Sequence, residues 1–263
     1  LTERRIREDP ASHGEESGRR RIPPAAPSSQ EPWESAYLRY ETPEEETCKF
    51  LRRLRRAGAL QWAREGQIVE LFCGRGNGLR ALERLGFSRF TGIDLSPTLA
   101  AQGFGRGRIV VGDCRRLPYA TGTQDVATIH GGLHHLPRLP EDLDQTLAQI
   151  RNVLKEDGLL FVVEPWQTPF LSLAHRLVRN RFARRLSGRI DALGSMIEQE
   201  GQTYQRWLAS PQLVMDSLRS FFHPEMCREA WGKLLFVGRR LPGEGRGSRS
   251  RSLSRVGESQ SCK

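Results

Sequence analysis

The 263-residue chain is poor in cysteine, and its five cysteines, Cys48, Cys73, Cys114, Cys227 and Cys262, are scattered and odd in number. No CxxC pair occurs, so neither a zinc knuckle nor a disulfide framework is expected, and no metal site is predicted from this spacing. Such cysteine usage suits a reducing compartment, the cytoplasm. Long apolar runs are missing too. Nothing approaches the ~18 uninterrupted apolar residues a membrane helix needs, so no membrane span is expected. The opening Leu1-Thr2-Glu3-Arg4-Arg5 has basic residues without an apolar core behind them, which excludes a secretory signal there. The absence of a starting Met leaves a trimmed chain and an unusual start codon both open. No internal repeat is visible.

Positive charge is abundant, with a formal net charge of +10, but it is unevenly placed. Residues 60–165 carry 12 basic and 12 acidic side chains, residues 1–59 carry 12 and 11, and residues 166–263 carry 17 and 8. The middle is therefore neutral and the excess follows it. Arg-rich solvated helices with a basic tail account for this excess; a surface for an anionic partner, nucleic acid included, through 166–240 is the alternative.

Residues 1–32 are rich in Pro, Ser, Glu and Arg without apolar periodicity and are expected to be disordered, as is the low-complexity basic tail 243–263. Residues 33–240 form the folded domain, with a core at 66–166 and a helical insertion or lid at 167–212. Thr42-Pro43-Glu44-Glu45 reads as a helix start with Thr42 as N-cap and Glu45 completing a capping box. Strand-like runs follow at 68–72, 90–94, 108–111, 125–129 and 159–163, separated by helical segments such as 141–154. Runs that are apolar throughout, alternating with helices, predict a parallel sheet covered on both faces. Beyond Glu164, helices are expected over 170–185, 190–208 and 211–220. Two strands then close the domain, 221–227 and 234–239, joined near Gly232.

The chemistry-bearing residues sit at strand ends. Glu70-Leu71-Phe72-Cys73-Gly74-Arg75-Gly76-Asn77-Gly78 occupies a strand-to-helix junction, where glycines let a ligand approach the backbone and a helix N-terminus offers free N–H groups. Counting from Gly74, Leu79 stands where a dinucleotide fingerprint has its third Gly, which counts against NAD. Asp94 closes the second strand, where a carboxylate can accept both ribose hydroxyls, and Asp113 follows the third, where one can accept an adenine amine. A single acid in a turn is commonly a cap. Glu70, Asp94 and Asp113 at three successive strand ends, on the ligand-binding face of an open α/β sheet, are harder to explain that way.

In this order the motifs resemble the class I S-adenosylmethionine-dependent methyltransferases, in particular the "type 11" group, over residues 66–166. Ile68–Gly78 resembles the glycine motif, Thr91-Gly92-Ile93-Asp94-Leu95-Ser96 the ribose motif and Gly112–Pro118 the adenine motif. Gln124-Asp125-Val126 with Leu133-His134-His135-Leu136 is similar to the fourth strand and its loop, and Leu154–Leu160 to the turn entering the fifth. The resemblance implies a doubly wound, Rossmann-like, seven-stranded, mostly parallel sheet with an antiparallel C-terminal strand. It implies S-adenosylmethionine as cofactor. Glu70 would organise its amino group, Gly74 and Gly76 its methionine tail, Asp94 and Leu95 the ribose, and Asp113 and Cys114 the adenine. His130 and Gly131 would face the sulfonium. Phe72 departs from the pattern, standing where the family has a glycine; it is tolerable if it points away from the ligand.

His134, His135 and Glu164 lie where an acceptor arrives and are the candidate catalytic groups; packing of one His and backbone bonding by Glu164 are the plainer roles. Phe170, Tyr204 and Trp207 either line an acceptor pocket or pack the core. Three readings follow: methyl transfer to a small molecule, methyl transfer to RNA such as tRNA, and a non-catalytic binding module. The small-molecule acceptor ranks first, and the oligomeric state is open.

Overall fold

The computed structural model describes residues 31–103 and 107–242. The expected disordered segments lie outside these residues, save Glu31 and Pro32. In chain order the elements are α1 (Glu31–Tyr40), α2 (Pro43–Arg56), β1 (Ile68–Leu71), α3 (Asn77–Arg84), β2 (Phe90–Asp94), α4 (Pro97–Ala101), β3 (Arg108–Val111), β4 (Gln124–His130), α5 (Glu141–Val153), β5 (Leu154–Pro165), α6 (Pro169–Arg179), α7 (Arg181–Leu186), α8 (Gly188–Ala209), α9 (Pro211–Phe221), β6 (Phe222–Ala230) and β7 (Lys233–Arg240). The sheet order is β3-β2-β1-β4-β5-β7-β6. β1 pairs in parallel with β2 and β4, β2 with β3, and β4 with β5, while β7 runs antiparallel to β5 and β6. This is the doubly wound, mostly parallel sheet expected, with its antiparallel strand at the C-terminus.

Side chains alternate across each strand and build one core on each face. Val69, Leu71, Ala127, Ile129, Leu160 and Val162 face α5 and α9, through Leu147, Ile150, Val214 and Leu218. Ile68, Val126, Phe161, Val163 and Val237 face α2 and α3, through Phe50, Leu54, Leu79 and Leu82. Fully burying one such side chain is worth about 1.5–3 kcal/mol, so the two cores account for the sheet holding its strand ends in register.

Local signals place several boundaries. The Thr42 side chain accepts from the Glu45 N–H at 3.2 Å, and the Glu45 carboxylate accepts from the Thr42 N–H at 2.9 Å, completing the expected box. The helical stretch expected over 170–185 is two helices, because Asn180 leaves helical geometry and caps α7 through its side chain. Gly201 kinks α8 with φ 43°. Helix α1 is not anticipated by the sequence reading; its aromatics Trp33 and Tyr37 pack over the sheet's ligand end, and none of its residues joins either core.

Candidate active site

A cavity of 410 Å³ lies at the C-terminal ends of β1, β2, β3 and β4, roofed by α1 and the kink of α8. Its floor is the β1–α3 turn. Gly74 and Gly76 have φ of 53° and 80°, a left-handed path that favours glycine, and Gly76 precedes the first turn of α3. Glu70 is 1% exposed and reaches toward that turn. A Cβ on Gly78 would sit 1.9 Å from Glu70 Oε1, so Gly78 makes room for the carboxylate. Burial, then Glu46 and Asp94, push the Glu70 carboxyl well above its usual range, against the Leu79 N–H. Its Oε2 is buried without a hydrogen-bond partner.

The neighbouring acids are fixed by backbone. Asp94 accepts from the Gly74 N–H at 2.7 Å and the Ser96 N–H at 2.9 Å, leaving lone pairs on both oxygens for further donors. Asp113 accepts from its own turn at the Arg115 N–H, 2.9 Å, and pairs with the Arg115 guanidinium at 2.7 Å, which holds its carboxyl below the usual range. Cys114 is buried, its thiol pushed up to about 12 by burial, and is chemically quiet. Leu95 is 53% exposed at the rim.

Residues 69–162 match the protein family described as a methyltransferase domain. Those residues are a methyltransferase domain, and the sheet around them has the class I S-adenosylmethionine-dependent methyltransferase fold. It is 27% identical over 195 residues to a ubiquinone/menaquinone biosynthesis C-methyltransferase of Paracoccus denitrificans, covering 68% of this chain and 72% of that one. The like-named protein of Roseobacter denitrificans is 30% identical over 132 residues, 45% of this chain and about half (51%) of that protein's length. The fold is similar to the PH0226 protein of Pyrococcus horikoshii, with a TM-score of 0.56 at 18% identity, covering 78% of this chain and 96% of that one.

The methyltransferase's cofactor is S-adenosylmethionine, and the cavity fits it. The orphaned Glu70 oxygen offers a partner to an ammonium, the open lone pairs of Asp94 suit ribose hydroxyls, and the glycine turn admits a main chain close by. Glu34, Glu46, Glu70, Asp94, Asp113 and Glu200 all line the cavity, against Arg115 as its one arginine among the described residues, so the lining favours a cationic ligand.

Phe72 takes φ 55°, a conformation that costs a non-glycine residue about 1 kcal/mol or more. It does not turn away. It borders the cavity and packs so tightly on Gly132 that a Cβ there would lie 2.1 Å from its ring. The glycine motif's irregular residue is thus matched by a glycine one strand away.

His130 borders the cavity, but its ring stacks on Phe50 at 4.3 Å and meets Phe161 edge-on at 5.2 Å. Burial, with Arg53 and Lys49 nearby, holds it well below its ordinary value, so it is a neutral wall. Gly131 lines the cavity beside it, with φ 93°.

The structure joins the candidate catalytic residues into a relay and adds one the sequence reading missed. Glu164, fully buried, accepts from the Gly132 and Leu133 N–H groups, both at 2.8 Å, and its other oxygen lies 2.6 Å from His134 Nδ1. His134 Nε2 lies 3.5 Å from Glu200, which also accepts from Trp33 Nε1 at 2.8 Å and stands 4.0 Å from His135 Nε2. Burial opposes a charge on His134, but Glu200 and Glu164 outweigh it and raise it to about 9. His135 goes the other way: burial and then the charged His134 lower it to about 4. Burial opposes ionisation of Glu200, yet His134 and His135 bring it down to about 2. The same three residues place ligand atoms within 4.8 Å of one another, close enough to hold a metal ion, which cysteine spacing alone does not anticipate. At neutral pH the relay carries two carboxylates and one imidazolium, one net negative charge. Of the three expected catalytic residues, His135 lines the cavity, while His134 and Glu164 lie behind it.

Tyr204 and Trp207 are buried outside the cavity, and Trp207 Nε1 donates to the Pro165 carbonyl at 2.9 Å, so both pack. Phe170 is 47% exposed and lines no acceptor site.

Proposed function

We propose that the enzyme methylates a small, largely apolar acceptor bearing an acidic hydroxyl, with transfer to carbon as the reading that relatives named C-methyltransferases support. The observation that carries this is the acid-lined 410 Å³ cavity roofed by α1 and α8. That volume, donor included, lies in the small-molecule range of roughly 300–1,000 Å³, and six lining carboxylates disfavour a polyanion such as RNA. Those carboxylates also speak against the non-catalytic reading, since a scaffold needs no buried, unpaired Glu70.

Bound S-adenosylmethionine supplies an activated methyl on a good leaving group, so alignment does most of the work. Glu70 would bind the ammonium, Gly74 and Gly76 would admit the methionine tail, Asp94 with Leu95 would hold the ribose, and Asp113 with Cys114 would border the adenine. His130 and Gly131 form the dry wall beside the reacting centre. His135, neutral at pH 7, accepts the proton the acceptor loses, and Glu200 stabilises the imidazolium that forms. Glu164 and His134 are positioning residues: they fix Glu200, and through it the free nitrogen of His135.

The test is methyl transfer from labelled donor to a panel of substituted phenols and hydroquinones, with RNA in parallel. Label in a ring carbon, lost in His135→Ala while donor-product affinity is kept, is the expected result. Label in RNA alone would overturn the reading.

A further inference from the structure

A second cavity, of 530 Å³, opens between α2 and the β6–β7 hairpin, and its lining is opposite in character to the first. Lys49, Arg52, Arg53, Arg56, Arg228 and Lys233 line it, over an apolar floor that includes Val163, Met226 and Leu235, with no carboxylate in the wall among the described residues. Lys49 pairs with Glu41 on one side; Arg52, Arg53, Arg56 and Arg228 have no ion pair among the described residues. Cations held together repel one another, and an anion of two or more charges relieves this. Burial and then Arg53 lower Lys233 to about 8, as such crowding requires, while burial alone lowers Arg53 to about 10.

The rim of this cavity is apolar. Trp231, at the hairpin tip, is 77% exposed and meets Phe170 edge-on at 5.4 Å. From Phe170 an exposed stripe runs along α6 through Leu173 and Leu177, at 64% and 51% exposure, on one helical face by their spacing of three and four. α7 adds Phe182 and Leu186, at 75% and 89%. The opposite side of α6 packs: Val178 is buried, and His175 Nε2 lies 3.0 Å from the Tyr204 hydroxyl. Residues 167–190 contain no Asp or Glu, and Arg176, Arg179, Arg181 and Arg185 have no ion pair among the described residues. Apolar side chains gathered this closely on one face mark an interaction surface rather than scattered exposure, and Leu173, Leu177 and Leu186 give an RNA nothing to stack on. Apolar side chains flanked by unpaired arginines, beside a basic cavity, fit the headgroup boundary of a membrane.

We propose that this face docks on an anionic phospholipid bilayer, with a lipid phosphate in the basic cavity and Trp231, Phe170, Leu173 and Leu177 among the acyl chains. Docking would bring a lipophilic acceptor to the enzyme; only that consequence rests on the acceptor reading, and binding is measured without cofactor or acceptor. The experiment is cosedimentation of the full chain with phosphatidylcholine vesicles, with and without phosphatidylglycerol, across a salt series.

Binding to the anionic vesicles at least roughly tenfold tighter than to neutral ones, and weakened by salt, is expected. Arg56→Gln with Arg228→Gln should lower it roughly 25-fold at about fivefold per cation, and Trp231→Ser with Leu173→Ser at least about tenfold. Raising the pH through 8 toward 10 should weaken it as Lys233 loses its proton. Unchanged circular dichroism and donor-product affinity in these variants show that the fold is intact. Equal binding to neutral vesicles, or none to anionic ones, overturns the proposal. So does binding of inorganic phosphate without vesicle binding, self-association through Trp231 in its place, or RNA binding indifferent to Leu173→Ser.

Discussion

Two cavities of comparable size, 410 and 530 Å³, sit in one fold with opposite linings. The first is walled by carboxylates at the ends of parallel strands, the second by arginines and lysines between α2 and the antiparallel hairpin. The net charge of +10 describes neither. It would suggest a polyanion partner for the whole chain, yet the cavity proposed for the methyl donor is acidic. What the difference teaches is that charge must be located before it is interpreted. The acidic lining selects a cation, and the basic one belongs to a separate surface.

The comparison breaks most visibly at the first cavity. His135→Ala should lower turnover roughly 100-fold or more, in line with the loss of an acid–base group, with donor-product affinity unchanged by calorimetry. Equal turnover would remove His135 from the proton path. Glu70→Gln should weaken donor-product binding about 100-fold, the scale for removing one side of a buried charged pair. Arg56→Gln with Arg228→Gln should leave that binding unchanged, which separates the two cavities in one calorimeter.

A smaller effect concerns stability. His134 titrates near 6.5 in the unfolded chain and about 9 when folded. Its contribution is therefore complete below pH 6.5 and is lost as pH rises through 9. Denaturant midpoints should fall across that window in the parent and not in His134→Gln, which cannot hold the charge. The smallest effect is at the irregular glycine motif. Gly132→Ala should destabilise by about 1–3 kcal/mol through overpacking on Phe72, and Phe72→Gly should recover most of it in the double variant. Additive losses would mean the two residues are not matched.

The sheet and its ligand face were legible because they rest on local signals: apolar runs, the capping box at Thr42, and acids at three strand ends. The helices after Glu164 were legible in outline, but Asn180 and Gly201 break them where neither residue forces a break on propensity alone. The roof of the site was not legible. Trp33, Glu34 and Tyr37 precede any clear periodicity, and Glu200 sits in a polar helix stretch resembling any solvated face. Each matters through a partner distant in sequence, Glu200 for Trp33 and Ser96 for Glu34. His134 and His135 were visible as a pair, but their opposite protonation follows from Glu164 and Glu200 standing around one of them, which only the fold supplies.

The central claim is that the acid-lined cavity binds the methyl donor through Glu70 and Asp94. Titration calorimetry of the full chain with S-adenosylhomocysteine tests it most directly. The account predicts saturable one-to-one binding that is lost in Asp94→Ala and weakened in Glu70→Gln. No heat at millimolar ligand, or an Asp94→Ala variant that binds like the parent, would contradict it.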